Sequence, residues 1–560
     1  MGTSRRDFLT AGVSMGFGLG LSGCAGFVNP IQPVCANDPS ISDPSTPLTI
    51  DVHAHVFNGS DLQVNGFLTR VLRIRGIGPI LQYLAWNDAP NAQQELSELT
   101  KISSVLRQCD ITAVNVLVDQ HRQQQYSLGR AQLIESARRI QRSPAVLSAN
   151  TSEFIRQIDA LPPDYPNYRR SKSVRGRIGT ASLTPGGAID FILRNFQYRY
   201  VNVFDYLNEY SSGRERRVDL IAAHLVDYDW PIGDGRETET TIPDQIRVMR
   251  EISILTSGRV HCFVPFDPFK QVAYELGLTP YSPLAVASDA ILNDGFLGIK
   301  MYPPMGFQPF GNALKPAAFW SDAYLPKALQ VSDIGQRLDK ALGDLYQWCL
   351  TNDVPIMAHS APTNSPTKHV DDLTNPAWWD LALQTFEGLR INFGHFGDTD
   401  EVNHGIGRPM SFAGLMTSIG PGANAYADSA YFADAVKQPA KLLPDLKQLL
   451  RATSNKGSAA LAQRLMYGTD WEMIIIEGRT TNDYLKSFEG IFAKLDTDTS
   501  LGAQGRLSDR FFGQNAANYL GLHRGSATRA RLEAFYRRSG VSAAPLLSKV
   551  DGAPFLAGKM

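Results

Sequence analysis

Nine short apolar runs recur along the chain, each bounded by glycine, proline or aspartate, and this pattern restricts the fold more than any other feature. Several runs are almost continuously apolar, as expected for parallel strands that are covered on both faces. Amphipathic helical patterns lie between them, as in 243–255 and 333–350. Alternating strands and helices predict an α/β protein, and about eight such units predict a (β/α)8 TIM barrel. The runs are 48–57, 111–119, 218–229, 260–267, 296–304, 354–362, 391–398, 423–432 and 465–471.

The chain has one such run more than an eight-stranded barrel needs, so we expect either 111–119 or 218–229 to lie outside the barrel. Residues 47–525 are predicted to form the barrel domain. Within it, 58–215 is mostly helical and loop-like in pattern, which predicts a large insertion that caps the first barrel loop. Residues 526–560 are predicted to form a C-terminal helical tail.

The N-terminus resembles an export signal. Residues 4–9, SRRDFL, are similar to the twin-arginine motif, and a glycine-rich apolar stretch too short for a stable membrane span follows. Residues 21–24, LSGC, resemble a bacterial lipobox, which implies removal of 1–23 and lipidation of Cys24. Simple cleavage at 34–36 remains an alternative.

This resemblance implies a location outside the cytoplasm. The mature protein is expected at the periplasmic face of a membrane, held there by the lipid on Cys24. Residues 24–46 are rich in proline, asparagine, aspartate and serine, as is typical of a tether. These N-terminal residues are excluded from reasoning about the fold.

Composition excludes some classes of partner. Of the 560 residues, 43% are apolar and 19% charged, as in an ordinary globular protein, and the formal net charge is −1. The sequence shows no Walker loop, no GxGxxG after a strand and no basic stripe interleaved with aromatic residues. Nucleic acid and nucleotide cofactors are therefore not expected, whereas a small-molecule substrate is compatible with the composition.

The cysteines show no regular spacing. Besides Cys24, the chain has Cys35, Cys109, Cys262 and Cys349, with no CxxC pair. Neither a thiolate metal site nor a disulfide framework is indicated. Cys262 and Cys349 stand in apolar contexts and are predicted to be small core residues.

The run LTIDVHAHVF carries His53 and His55 one residue apart. Because a strand alternates its faces, both imidazoles, and Asp51 with them, are predicted to point to one side, with Val52 on the other. Two imidazoles on one face can converge on one metal ion. On this stretch alone, a strand with two ordinary hydrogen-bonded histidines is an equally good reading.

Polar side chains also stand at the ends of later runs. PIMAHSAP places His359 at a strand end, INFGHFGD places His395, YGTDW places Asp470 and GIKMYPP places Lys300. In an α/β barrel the carboxyl ends of the strands meet at one mouth, so these groups are predicted to share a pocket. Tyr302 follows Lys300 on the same face and is a candidate pocket residue.

Each of these residues has a structural alternative. A single histidine after a strand is usually a satisfied polar residue, a single aspartate is usually a turn or helix cap, and a single lysine usually lies at a rim. Their joint occurrence at successive strand ends favours a site. The other histidines are predicted to be exposed, in loops or packed in strands; they are His121, His224, His261, His369, His404 and His523.

Together these motifs resemble the metal-dependent amidohydrolase superfamily. The branch they resemble most is the amidohydrolase-related one that includes aminocarboxymuconate-semialdehyde decarboxylase. The resemblance spans about 47–522 and includes the segments DVHAHVF, VPFDP, GIKMYPP, PIMAHSAP, INFGHFGD, YGTDW and FFGQNAANYLGL.

The resemblance implies roles for particular residues. His53 and His55 would be first-strand metal ligands, His359 the fifth-strand ligand and Asp470 the eighth-strand ligand. His395 would bind a second metal or act as acid and base beside the first.

Two further positions bear on the metal count and the fold. Lys300 matches the fourth-strand lysine that some relatives carboxylate to bridge two metals, although many members of this branch hold one metal. HAHVF lacks the further Asp-His of the HxHxDH hydrolases, which argues against a β-lactamase-like fold.

The resemblance implies metal-assisted hydrolysis of an amide, ester or lactone. Nitrogen and oxygen ligands favour one Zn²⁺, with a second ion and Mn²⁺, Co²⁺ or Fe²⁺ as alternatives. Asp470 and His395 would be the catalytic residues that move protons. The same site is compatible with non-oxidative decarboxylation. A non-catalytic, lipid-anchored binding protein is the third alternative, since a fold alone does not fix a function.

Overall fold

Eight parallel strands form one sheet, in which each strand pairs with the next along the chain. They are β1 (Ile50–Ala54), β2 (Leu220–His224), β3 (Val260–Pro265), β4 (Gly298–Met301), β5 (Ile356–His359), β6 (Arg390–Gly394), β7 (Asn424–Asp428) and β8 (Leu465–Met466). The structure is a computed structural model that describes residues 45–67, 83–84, 86–142, 148–169, 185–320, 325–367, 370, 373–397, 407–418, 424–432, 434–477, 481–501, 506–541 and 544–553.

The last strand returns to the first. The Val52 amide donates to the Tyr467 carbonyl at 3.1 Å, the Asp470 amide donates to the His53 carbonyl at 2.8 Å, and a parallel bridge joins Ala54 to Trp471. These bonds bring the two edges of the sheet together, so the predicted (β/α)8 TIM barrel is confirmed.

Helices surround the barrel and fill the insertion. Those of at least six residues are α1 (Ala92–Leu106), α2 (Ile111–Gln141), α3 (Ala149–Asp159), α4 (Pro185–Asn195), α5 (Arg199–Asp205), α6 (Ile242–Leu255), α7 (Pro268–Glu275), α8 (Pro283–Asn293), α9 (Ile334–Asn352), α10 (Pro376–Thr385), α11 (Gly407–Ser418), α12 (Pro439–Ala452), α13 (Thr481–Asp496), α14 (Asn515–Leu520), α15 (Ala527–Ser539) and α16 (Ala544–Gly552). The two helices predicted from amphipathic patterns correspond to α6 and α9.

Several barrel helices begin with the same local chemistry. Asp267, Ser282 and Asn375 each accept a hydrogen bond from a backbone amide of the helix that follows, and a proline comes next in each case. A short polar cap satisfies a free amide, and proline at the first position has no amide to satisfy. These starts fix where the chain turns away from the strand ends.

The prediction of a strand at 111–119 is wrong. ITAVNVLVD opens the 31-residue helix α2, whose first turn is capped by Asp110 accepting from the Ala113 amide at 2.9 Å. Val114, Val118 and Arg122 are buried at helical spacing. The β-branched residues suggested a strand, but packing of one helical face decided the outcome. The run 218–229 contains β2, so 111–119 is the run outside the barrel.

The helices α1 to α5 lie between β1 and β2 along the chain, and we call this segment the cap. A buried ion cluster anchors this cap: Arg199 Nε donates to Glu95 Oε1 at 2.8 Å, and Arg199 Nη2 lies 3.2 Å from Asp61 Oδ1. The Asn58 side-chain amide, just after β1, also donates to Glu95 Oε1 at 2.9 Å. The cap is therefore fixed to the chain that leaves the first strand.

The opposite end of the barrel is closed by the C-terminal helices. Phe535 and Tyr536 of α15 join a buried apolar cluster with Ile50, Val52 and other residues at the start of the strands. His261 Nδ1 donates to the Gly295 carbonyl at 2.7 Å, so its Nε2 accepts from the Tyr536 hydroxyl at 2.6 Å. His261 is thus a packed residue, as predicted.

Cys109 takes part in a disulfide bond, which the irregular cysteine spacing did not predict. Cys262 and Cys349 are buried and free, as expected of core residues. The predicted signal and Cys24 lie outside the described residues. Among the described helices, none combines the length and apolar character needed to cross a membrane.

Candidate metal centre

His53, His55 and Asp470 meet at the mouth of the barrel. Asp470 Oδ1 lies 3.5 Å from His53 Nε2 and 3.3 Å from His55 Nε2. One ligand atom of each residue lies within 4.8 Å of the others, and all three residues are buried. Groups more than 400 residues apart in the chain therefore face one small volume, as the positions of the motifs at strand ends predicted.

The first strand is less regular than its sequence suggests. The pairing of β1 with β2 shifts register between Asp51 and Ala54, as at a β-bulge. Asp51 does not join the imidazoles, because its carboxylate accepts from the Thr469 hydroxyl at 2.6 Å and the Tyr206 hydroxyl at 2.8 Å. The prediction that Asp51 shares their face is therefore wrong. Burial raises the pKa of Asp51 to about 7, against the effect of these hydrogen bonds.

Hydrogen bonds fix both imidazoles in the same tautomer. His53 Nδ1 lies 3.1 Å from a carboxylate oxygen of Asp428, and His55 Nδ1 lies 2.9 Å from the His224 carbonyl. Because neither partner can donate, both Nδ1 atoms carry the proton and both Nε2 atoms keep a lone pair. His53 Nε2 is buried and has no hydrogen-bond partner. This orphaned lone pair is what a metal ligand requires.

Asp428, at the end of β7, is the residue that orients His53, and the sequence analysis did not single it out. It also accepts from the Asn392 side chain at 2.7 Å and from the backbone amides of His395 and Ala430 at 2.9 and 3.0 Å. Burial raises the pKa of Asp428, but these donors favour its ionised form. Its position at a strand end, in AYADSAY, was the available signal.

His395 and His359 form a hydrogen-bonded pair beside this cluster. The His395 Nδ1 proton goes to the Ala430 carbonyl at 3.0 Å, so its Nε2 accepts from His359 Nδ1 at 3.1 Å. His359 Nε2 then accepts from the Thr363 hydroxyl at 3.2 Å. The His395 ring lies 4.6 Å from that of His53. Both nitrogens of His359 have protein partners, and His359 stands outside the three-residue group.

Lys300 is buried near the cluster, but its amine contacts a sulfur atom. Its Nζ lies 2.8 Å from Met357 Sδ and 5.5 Å from the centre of the Tyr302 ring. Burial lowers the pKa of Lys300 to about 7. Among the described residues it forms no ion pair within 4.0 Å, so the role of Lys300 as a ligand stays a prediction.

His224, at the end of β2, is a further imidazole of this region. Its ring centre lies 4.8 Å from that of His53 and 4.8 Å from that of Phe263, and both ring nitrogens are buried without a partner. We predicted a packed strand residue, which is correct, but the ring also faces the site. It occupies a strand end, the same signal that identified His359 and His395.

The electrostatics suit a cation. Burial lowers the pKa values of His53, His224, His359 and His395, which keeps these imidazoles neutral. Burial alone would raise the pKa of Asp470, but its interactions with His55, His395 and His53 hold it well below its usual range. An ionised carboxylate among neutral nitrogen donors is a set of ligands that Zn²⁺ binds.

The backbone is held in unusual conformations at two strand ends. Asp470 has φ of 59° and His395 has φ of 63°, both in the left-handed region that residues other than glycine rarely adopt. Such conformations persist only where the surroundings impose them, and they cluster at functional sites.

The cluster opens into a cleft that encloses about 40 Å³ and reaches about 540 Å³ when the solvent space at its open mouth is included. We call its polar side the polar floor, formed by His55, His359, His395 and Asp470. Tyr302, Asn195 and Asn364 lie at the border, and the Tyr302 ring stacks on His359 with 4.3 Å between centres. We call the other side the apolar wall, formed by Phe57, Leu62, Val64, Phe67, Phe191, Val226, Tyr228 and Met473.

No protein-family model and no curated protein matches the chain. Three solved structures are similar in fold. A proposed 2-pyrone-4,6-dicarboxylic acid hydrolase from Acinetobacter baumannii, with citric acid bound, is 14% identical over 58% of this chain and 90% of its own, with a TM-score of 0.33. An uncharacterised TIM-barrel protein from Bordetella bronchiseptica is 12% identical over 64% and 90%, with a TM-score of 0.34. A proposed metal-dependent hydrolase from Lactobacillus casei is 14% identical over 85% and 96%, with a TM-score of 0.35. Likeness of this extent concerns the barrel fold alone.

Proposed function

We propose that this protein is a metal-dependent hydrolase of the amidohydrolase type, which cleaves an amide, ester or lactone bond in a small molecule. One observation carries the proposal: three buried ligand atoms converge within 4.8 Å, and the tautomers of both imidazoles leave Nε2 lone pairs facing the Asp470 carboxylate. The orphaned His53 Nε2 is costly to bury without a partner, and a cation supplies one.

His53, His55 and Asp470 would hold the metal, for which Zn²⁺ is the first candidate. A bound divalent cation supplies Lewis acidity, which acidifies water and polarises a substrate carbonyl. Three protein ligands leave room for water and substrate, as in catalytic zinc sites. Lys300 and His395 are the candidate ligands of a second ion, which we treat as the alternative to one metal.

The residues of the floor can move the proton that hydrolysis requires. Asp470 is ionised and borders the cavity, so it can accept a proton from the attacking water. His395 is neutral with its proton fixed on Nδ1, so its Nε2 can accept a proton but cannot donate one before doing so. The protonated Asp470 can then return its proton to the leaving group, and opening of the bond from His359 Nδ1 would free His395 Nε2 to accept that proton on the way.

Decarboxylation on the same site is the second candidate, because its metal requirements do not differ from those of hydrolysis. A binding protein that has lost catalysis is a weaker one. Such a protein should have lost part of its ligand set, whereas His53, His55 and Asp470 are all present with their supporting hydrogen bonds.

Export and lipid anchoring belong to the proposal as well. The twin-arginine-like residues and the lipobox-like cysteine support a protein that folds before export and acts at the periplasmic face. The disulfide of Cys109 agrees with an oxidising compartment, where such bonds form and persist. Labelling of cells with radioactive palmitate tests the anchor: label lost in Cys24→Ala supports it, and label retained contradicts it.

Metal analysis tests the central claim. Protein purified without added metal should contain about one zinc per chain, and His55→Ala should reduce both the content and the zinc affinity measured against a chromophoric chelator. His523→Ala is the matched control, because His523 bonds Asn518 in a loop away from the floor. The proposal would be overturned if the wild-type protein contained no metal and did not bind added zinc, or if His55→Ala bound zinc as tightly as the wild type.

A further inference from the structure

We propose that the cavity takes a neutral substrate with a bulky apolar group, and not an anionic one. This inference rests on the proposed function, since it assigns a substrate class to the same site. Eight side chains of the apolar wall meet the four of the polar floor across one cavity. A molecule that fills the cavity must therefore present its reactive group at one end and apolar surface at the other.

The apolar wall is already assembled without a ligand. The Phe67 and Tyr228 rings stack at 5.8 Å with 10° between their planes, and the Phe57 and Phe191 rings meet edge to face at 6.3 Å. These two pairs join the chain after β1 to the loop after β2 and to α4. Because the rings hold one another, little ordering is needed when a ligand binds. Their spacing suits an aromatic or branched aliphatic group.

The charges around the cavity disfavour an anion. None of the described lining residues is a lysine or an arginine, and the one carboxyl side chain among them, that of Asp470, lies on the polar floor. Arg194, which precedes the border residue Asn195 on α4, is paired elsewhere: its Nη1 lies 3.2 Å from Asp205 Oδ2, and its Nη2 donates to the Tyr210 hydroxyl. A carboxylate placed against the apolar wall would lose its hydration and gain no described cation in return.

The same argument bears on the reaction. A decarboxylase must bind a substrate carboxylate, and in this cavity only the metal proposed at the floor could take that group, because the wall offers it no described partner. A neutral amide, ester or lactone has no such requirement. The border of the cavity also offers one unused acceptor: Asn195 Nδ2 donates to the Phe191 carbonyl at 2.8 Å, which leaves Asn195 Oδ1 buried and unpaired. A ligand with one N–H or O–H would supply the missing donor.

Two fluorescent probes with one skeleton test the inference. N-phenyl-1-naphthylamine is neutral and carries an N–H, and 1-anilinonaphthalene-8-sulfonate adds a sulfonate to the same rings. Both are titrated into the full-length protein, as purified and after removal of metal by a chelator. We expect the neutral probe to bind at least tenfold more tightly. Equal or tighter binding of the sulfonate by the wild type would overturn the inference.

Variants locate the binding to the wall. Phe191→Arg should weaken binding of the neutral probe at least tenfold, because it places a cation against the apolar surface. The preference for the neutral probe over the sulfonate should disappear or reverse. Phe191→Leu is a milder change that can be used if the arginine variant does not fold. It should weaken binding of the neutral probe a few-fold and keep the preference for the neutral probe over the sulfonate. Leu314→Arg is the control, since Leu314 is 81% exposed and does not line the cavity. Neutral-probe binding unaffected by both Phe191 variants would also overturn the inference.

Failure of this inference is distinguishable from failure of the proposed function. Probe binding needs neither metal nor turnover, so a protein without zinc at the floor can still show the preference. Conversely, if the protein binds zinc through His55 but binds the sulfonate more tightly than the neutral probe, the proposed metal centre is supported and only the proposed substrate class is wrong.

Discussion

The polar floor and the apolar wall bound the same cavity but depend on different properties of the chain. The floor and the adjoining His53 require individual atoms in fixed places: Asp470 Oδ1 must face the Nε2 atoms of His53 and His55, and each of these imidazoles needs an acceptor at its Nδ1. The wall requires only apolar area, which several side chains share. A single substitution should therefore disable the floor, whereas the wall should change its preference gradually.

Asp470→Asn should have the largest effect, because it keeps the size of the side chain and removes the negative charge from the floor. We expect zinc affinity to fall by on the order of 1,000-fold, since a neutral amide is a poor zinc ligand. Hydrolysis of any substrate found for the wild type should fall at least as far. Chelator competition and metal content measure the first effect.

The same variant sharpens the contrast with the wall. Binding of N-phenyl-1-naphthylamine by Asp470→Asn should stay within about threefold of the wild type, because apolar contact area is unchanged. If the probe affinity fell together with the zinc affinity, the floor and the wall would not be separable parts of the site.

Asp428→Asn should have the second-largest effect on zinc affinity. Asn at this position can still accept a hydrogen bond from His53 Nδ1, but it lacks the charge that makes the imidazole a stronger ligand. Loss of such a supporting carboxylate typically costs about 10- to 100-fold in metal affinity. Asn392 donates to the same carboxylate, so Asn392→Ala should give a smaller loss. A zinc affinity equal to that of the wild type in Asp428→Asn would contradict the role assigned to this residue.

The floor could largely be predicted from the sequence because it lies at strand ends. Each ligand candidate follows a short apolar run, and a parallel barrel brings all such positions to one mouth whatever lies between them. His224 and Asp428 obey the same rule, but the strand context of His224 predicts only a packed residue, and Asp428 carries no motif. The bulge in β1 was also missed, since alternation assumes a regular strand.

The wall could not be predicted in this way. Its residues come from the chain after β1, from α4 and from loops after β2 and β8, and they meet only because the cap folds over the mouth. Phe57 and Phe191 are separated by more than 130 residues without a repeating pattern. The strand wrongly predicted at 111–119 belongs to this same cap, where β-branched residues pack on one face of α2.

Gly468→Ala should affect the floor through packing. A Cβ at this position would lie 2.9 Å from the His53 Cβ, closer than real Cβ contacts allow, so His53 must shift. Overpacking of this kind costs about 1 to 3 kcal/mol, and we expect a fall of about threefold to tenfold in zinc affinity. Gly490→Ala on α13 is the control, because a Cβ there has no neighbour within 4 Å. Equal effects of both variants on zinc affinity would contradict the packing argument.

Glu95→Gln should have the smallest effect on the site and should act on the cap that carries much of the wall. Glu95 and Asp61 share the single guanidinium of Arg199 in a buried cluster. Burial raises the pKa of Glu95, Arg199 partly opposes this effect and Asp61 adds to it, and together they place the pKa at about 7. In the folded protein Glu95 therefore holds a proton over a pH range in which the unfolded chain has released it.

The sign of the pH dependence follows from this shift. Because the folded state binds more protons than the unfolded state between about pH 4.5 and 7, stability falls as the pH rises through that window and levels off above it. The slope is about 1.4 kcal/mol per pH unit for each proton involved. Glu95→Gln keeps the shape of a protonated glutamate and cannot titrate, so thermal melts from pH 5 to 8 should lose part of this slope. Glu135→Gln, whose parent side chain is 48% exposed, should leave the slope unchanged. Zinc affinity at pH 7 should be the same in both variants, and a loss confined to Glu95→Gln would show that the cap helps to position the floor.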